Sequence, residues 1–129
     1  VAYSLGNDIT ARKQQGLDKE RGWPWLRAKN LATFGCIGPA WVPVAEVPPF
    51  EDITLRGCVN DVVRQKTNLA DMIWKPERAL VELSRWTPLR AGDIVFLGTP
   101  AGVAPIHEGD ELVVEADGLG KLVNPVIRG

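Results

Sequence analysis

The sequence predicts a β-rich α+β domain with one main helix, at about residues 76–86, on three observations. Short apolar or alternating runs recur along the chain, each bounded by glycine, proline or an Asn-Asp pair. A single segment, opening at Pro76, combines a helix start, an apolar face and a stop. Ten prolines and thirteen glycines supply the sharp corners that such a sheet requires.

Residues 1–7 read as a strand, with Val1, Ala2, Tyr3 and Leu5 as its apolar members. Residues 10–20 read as a short polar helix or loop ending near Gly22. The stretch WPWLRAKNLATFGCIGP mixes proline, glycine and aromatics without a clean period, so an ordered loop with a short extended piece is expected. AWVPV reads as a strand, and Pro48-Pro49 marks a turn. ITLRGCVNDVVRQKTN alternates and breaks at Asn60-Asp61, the pattern of a hairpin. Pro76 suits the first helical position and Glu77 the positive end of the helix dipole. Ala79, Leu80 and Leu83 share one face, and Thr87-Pro88 stops the helix. AGDIVFLG predicts a turn and then a fully apolar strand; DELVVEAD and KLVNPVIRG form a last pair joined at Gly118-Leu119-Gly120.

Composition narrows the function classes. Hydrophobic residues at 45% and charged residues at 24% are the mixture of a globular domain. Fifteen basic against sixteen acidic side chains, scattered to a net charge of -1, leave no electrostatic footprint for nucleic acid. No apolar run approaches the ~20 residues of a membrane-spanning helix. Cys36 and Cys58 lack metal-type spacing and read as buried free thiols, which points to a reducing, cytoplasmic compartment. Val1 opens directly in strand-like sequence without a lead, so the chain is expected to be entered in mid-fold.

Four segments place polar residues where a strand ends: Asp8, Arg12 and Gln15; Lys29 and Thr33; Arg64, Gln65 and Asp71; and Gly98-Thr99-Pro100 followed by Gly102. Each has an ordinary explanation. Asp8 is placed to cap a helix, Lys29 to be solvated, Asp71 to cap or sit on the surface, and Gly98–Gly102 to turn the chain.

The order of the segments resembles the fumarylacetoacetate hydrolase family, in the C-terminal part of its catalytic domain. The resemblance rests on GNDITAR with Gln15, WLRAKNLATFGCIGP, VNDVVRQKTNLADMIW, LSRWTPLRAGDIVFLGTPAGV and GDELVVEADGLGKLVNPV. WLRAKNLATFGCIGP looks more like the 2-hydroxyhepta-2,4-diene-1,7-dioate isomerase/decarboxylase and general hydrolase branches than the acylpyruvase branch. The resemblance implies a rolled mixed β-sheet and a homodimer. It also implies divalent-metal chemistry, with Mg²⁺, Mn²⁺ or Ca²⁺, on 2-keto or 2-enol acids in catabolism.

Carried over motif by motif, the resemblance makes Asp8 a metal ligand and Lys29 the group that meets a developing enolate or keto oxygen. Thr99 would bind the substrate carboxylate, with Gly98 and Gly102 allowing close backbone approach. Arg12 and Gln15 would face the substrate, and Thr33 would stand beside the lysine. The family has an aspartate after the arginine where this chain has Lys13, so that aspartate's role is not carried over. The family's other metal ligands form an upstream Glu-x-Glu pair, and its hydrolytic members draw a His–Glu pair from an upstream lid. Neither is in this sequence. The lone histidine, His107, lies in a loop flanked by proline and glycine and reads as a surface residue. Residues 1–129 are therefore expected to be the C-terminal portion of a catalytic domain that binds metal poorly by itself. The contrasting expectation is an inactive fragment or β-rich dimerisation module.

Overall fold

The computed structural model describes residues 1–128; Gly129, the last residue of the expected closing strand segment, lies outside them. Six strands form two sheets. Strand β1 (Ala2–Asp8) pairs antiparallel with β2 (Gly35–Pro43). Strands β3 (Thr54–Val59), β4 (Val62–Asn68), β5 (Glu111–Ala116) and β6 (Gly120–Pro125) make a second sheet in the order β4-β3-β5-β6. The β-rich α+β class holds, and each ladder among the described residues is antiparallel. β2 lies along β6 and β1 crosses β5 and β6, so the two sheets share one core.

That core is built from Leu5, Ile53, Ala116, Leu119 and Leu122, with Tyr3, Val42 and Phe50 packed against it. Ile53 is wholly enclosed, and burying a side chain of that size contributes roughly 1.5–3 kcal/mol. The hairpin at Asn60-Asp61 forms as its sequence predicts. Both turn residues have positive φ, 50° and 64°, as a two-residue turn matched to strand twist demands.

The elements depart from the sequence expectation in four places. The predicted helix at 76–86 is α3 (Pro76–Ser84), and a second helix of equal length, α1 (Arg12–Glu20), occupies the segment read as a short polar helix or loop. α1 shows no apolar stripe because the side chain it buries is Asp18, so periodicity could not announce it as a packed helix. The stretch read as a loop carries α2 (Leu26–Lys29), and its extended piece is the start of β2. Gly35, Gly38 and Pro39 read as breakers, yet an edge strand tolerates them because one side of its backbone needs no partner.

The apolar strand expected within residues 91–98 is absent: those residues have no ladder partner among the described residues. They run past β1 instead, where the Phe96 ring occupies the space a side chain at Gly6 would need, 2.6 Å from that position. Cys36 and Cys58 are free thiols as expected, but both are half-buried rather than buried, since each sits on a strand with one face incompletely covered.

Candidate active site

Asp8 is the last residue of β1, opposite Gly35 on β2. The chain does not leave the sheet at once: the Ile9 amide donates to the Phe34 carbonyl at 2.9 Å. The Ala11 amide then donates to the Ala28 carbonyl at 2.9 Å, fastening the start of α1 to α2. Ala28 is fully buried, which fixes the direction in which its neighbour Lys29 leaves the helix. Lys29 Nζ donates to Asp8 Oδ2 and, at 3.2 Å, to Thr10 Oγ1. The Thr10 hydroxyl in turn donates to the Asp8 carbonyl at 3.2 Å.

Asp8 is therefore no helix cap. α1 begins only at Arg12, behind an Ala11 that makes no side-chain cap. The Asp8 and Lys29 side chains are 42% and 30% exposed. An ion pair that open adds only about 0.2–1 kcal/mol to stability, so the pair matters for where it holds the two charges.

Behind Lys29 stands a group that the sequence reading did not single out. Asp18 on α1 is completely enclosed and accepts from Gln14 Nε2 at 2.8 Å and from the Arg27 guanidinium through both its oxygens. The hydrogen bond from Arg27 is the main force holding the Asp18 carboxyl below the usual carboxylate range. Gln14 helps, and burial opposes. The same pairing raises the Arg27 guanidinium, which also stacks 4.7 Å from the Trp23 ring. Arg27 lies two residues before Lys29 on α2, so this clamp joins α1 to the short helix that carries the lysine. Its sequence signal is weak, because Asp18 and Arg27 are nine residues apart across an irregular loop.

The remaining expected residues fall into three places. Arg12 Nη1 donates to Gln15 Oε1 at 2.8 Å within the first turn of α1. Thr33 is exposed and left-handed, φ 68°, a conformation that costs a branched residue energy and marks the turn between α2 and β2. Its carbonyl accepts from the Cys36 thiol at 3.1 Å. Gly98 and Gly102 both have positive φ, 95° and 102°. A side chain at Gly102 would overlap the Arg64 carbonyl oxygen on β4, so glycine there lets the loop lie directly on the sheet. Between these glycines, Thr99 Oγ1 accepts from Gln65 Nε2 at 2.8 Å.

Thr99 and Gly98 line a cleft of about 790 Å³, largely apolar, whose other walls include Tyr3, Trp41, Phe50 and Asp71. Asp8, Lys29, Arg12 and Gln15 do not line it. The structure thus gathers Asp8, Lys29 and Thr10 at the end of β1, Arg12 with Gln15 on α1, and Thr99 with Gln65 at the cleft. His107 is exposed, with Nδ1 3.7 Å from Asp110. Asp110 is held below the usual carboxylate range chiefly by the Asn60 side-chain amide, which donates to it at 2.6 Å.

The donor set does not by itself fit a divalent metal. Hard cations take several oxygen ligands, whereas Asp8 is one carboxylate already facing Lys29. Among the described residues no three His, Cys, Asp or Glu side chains converge. Among the described residues no helix is long and apolar enough to cross a membrane.

The family model for the fumarylacetoacetate (FAA) hydrolase C-terminal region matches residues 1–127. The chain is 39% identical over 119 residues to the oxaloacetate tautomerase YcgM of Escherichia coli K12, covering 92% of this chain and 54% of that protein. The fumarylpyruvate hydrolase of Pseudomonas aeruginosa, solved in complex with Mn²⁺ and pyruvate, superimposes with a TM-score of 0.93 at 33% identity. That match covers 99% of this chain and 55% of the hydrolase. The 2-hydroxyhepta-2,4-diene-1,7-dioate isomerase of Mycobacterium marinum gives 0.86 at 40% identity, over 98% of this chain and 48% of the isomerase. The chain spans about half the length of the curated relatives it matches. With residues 1–127 matched by the family model and nearly its whole length aligned to these proteins, the chain belongs to the fumarylacetoacetate hydrolase family.

Proposed function

We propose that the gene product carrying this chain is a metal-dependent enzyme acting on pyruvate-type 2-oxo acids, or their enols, through an enolate. The single observation that supports it best is the placing of Lys29 Nζ at the end of β1 against Asp8 and Thr10. A cation held between two side chains is suited to charge that appears only during reaction. When a C–C or C–H bond next to a 2-oxo group breaks heterolytically, its electron pair moves onto the oxo oxygen. Lys29 Nζ is the group of this chain that would meet that negative charge. Thr99 Oγ1 would hold the substrate carboxylate at the cleft, and Arg12, Gln15 and Thr33 would flank the site.

Asp8 would serve the metal, Mg²⁺ or Mn²⁺, as one ligand among others that this chain does not hold. The Mn²⁺ and pyruvate of the Pseudomonas hydrolase support that assignment by likeness. A hydrolase, an isomerase and a tautomerase are all named among the relatives, and an enol or enolate is a species that each of these reaction types on a 2-oxo acid could share. A cytoplasmic homodimer is the setting we propose, the compartment resting on the two free cysteines. Nothing in the geometry favours the inert dimerisation module over the enzyme.

The test is to assay the intact gene product with Mg²⁺ or Mn²⁺ on oxaloacetate, acylpyruvates and 2-hydroxymuconate-type acids. Turnover of at least one, abolished by chelation, is expected. Wild-type protein inert towards all of them, with either metal, contradicts the proposal.

A further inference from the structure

Gln65 sits on β4 opposite Gly57 of β3. Because Gly57 has no side chain, the Gln65 amide can lie flat over the sheet, its Oε1 3.2 Å from where a Cβ of Gly57 would be. Its Nε2 then reaches two acceptors in the neighbouring loop: the Pro100 carbonyl at 2.6 Å and Thr99 Oγ1 at 2.8 Å. The Pro100 carbonyl decides which way round the amide stands. A carbonyl can only accept, so the reverse orientation would set two oxygens against each other. Nε2 must face the loop, and both its N–H groups are engaged there.

Thr99 is thereby given a fixed role. Its oxygen accepts a hydrogen bond from Gln65 Nε2, so its own O–H cannot be donated back to that nitrogen. Among the described residues the Thr99 hydroxyl donates to no acceptor, and it borders the cleft.

We propose that Gln65 is a positioning residue that holds Thr99 as a hydrogen-bond donor towards an anionic oxygen in the cleft, that of the 2-oxo acid carboxylate. The inference rests on the substrate-binding role given to Thr99 above. It adds that the role is imposed by an amide on β4 that need not touch the substrate.

A double-mutant cycle tests it, with pyruvate as the probe and calorimetry on the Mn²⁺-loaded intact gene product as the readout. Gln65→Met keeps the side-chain volume and removes the amide; Gln65→Glu is nearly isosteric and repeats the test should Gln65→Met fail to fold. A glutamate would repel the Pro100 carbonyl and accept the Thr99 proton, drawing it inward. Each variant is expected to bind pyruvate on the order of tenfold more weakly or worse, the loss of one hydrogen bond to a charged group. Mn²⁺ affinity and Tm should be nearly unchanged. On a Thr99→Val background, which itself weakens pyruvate binding, either substitution should cost nothing further. If Gln65 only props the loop, its loss will add in full to that of Thr99→Val, and this overturns the proposal. Wild-type pyruvate affinity in both Gln65 variants, with Thr99→Val impaired, overturns it while leaving the Thr99 reading intact. Wild-type protein that binds no pyruvate overturns both.

Discussion

Asp8 has the simplest consequence among the individual residues. A divalent ion wants several oxygens, and this chain offers one carboxylate at the end of β1, matched to Lys29. The 129-residue chain alone is therefore expected to bind Mg²⁺ or Mn²⁺ only in the millimolar range or weaker. Calorimetry showing micromolar binding that Asp8→Ala abolishes would contradict this. The sequence offered Asp8, Lys29 and Thr99 as candidates through motif order; the structure sets Asp8 at the end of β1 and Lys29 at the end of α2, and Thr99 in a loop. Thr10 and Asp18 are read only from the structure, and so is the contact that ties Gln65, itself noted in the sequence, to Thr99. Their parts in the site depend on which side chains meet across 19, 9 and 34 positions of chain, and no local pattern encodes that.

At the scale of elements, the joint between α1 and α2 decides where Lys29 points, and Asp18 is its pin. The Asp18 carboxyl titrates lower in the folded protein than in the unfolded chain. Its contribution to stability is thus fully present above the unfolded carboxylate pKa, about 3.9, and is lost as pH falls through the lower folded value. Asp18→Asn removes the titration. Its Tm should lie well below wild type at pH 6, and the gap should narrow steadily as both are taken below about pH 4. A gap that stays constant from pH 6 to pH 2 would show that Asp18 is held for its shape and not its charge. Sequence reading found the hairpin β3–β4 and the pair β5–β6 because alternation and turn residues are local signals. It read residues 10–20 as a short polar helix or loop without deciding between them, because a buried carboxylate leaves no apolar stripe. It placed a strand within 91–98 because a wholly apolar run implies burial on both faces, and such burial needs neighbours that the described residues do not provide.

Over the molecule as a whole, two antiparallel sheets share a small core, while Ile73 at 95% and Trp86 at 88% exposure stand clear of it. The chain spans about half the length of its curated relatives, and the proposed activity is to be tested on the intact gene product. Strands β1 and β2 with the α1–α2 joint nevertheless fix a cation at the end of β1, and the loop beside β4 sets the Thr99 hydroxyl at the cleft. Turnover by Lys29→Met in the intact gene product probes the role of that cation most directly. A lysine that meets charge only in the transition state should show its loss in kcat, by on the order of a hundred- to a thousand-fold, or about 2.7–4 kcal/mol, with Tm unchanged. Wild-type kcat in Lys29→Met, at an unchanged Tm, would remove the lysine from the chemistry and contradict the account.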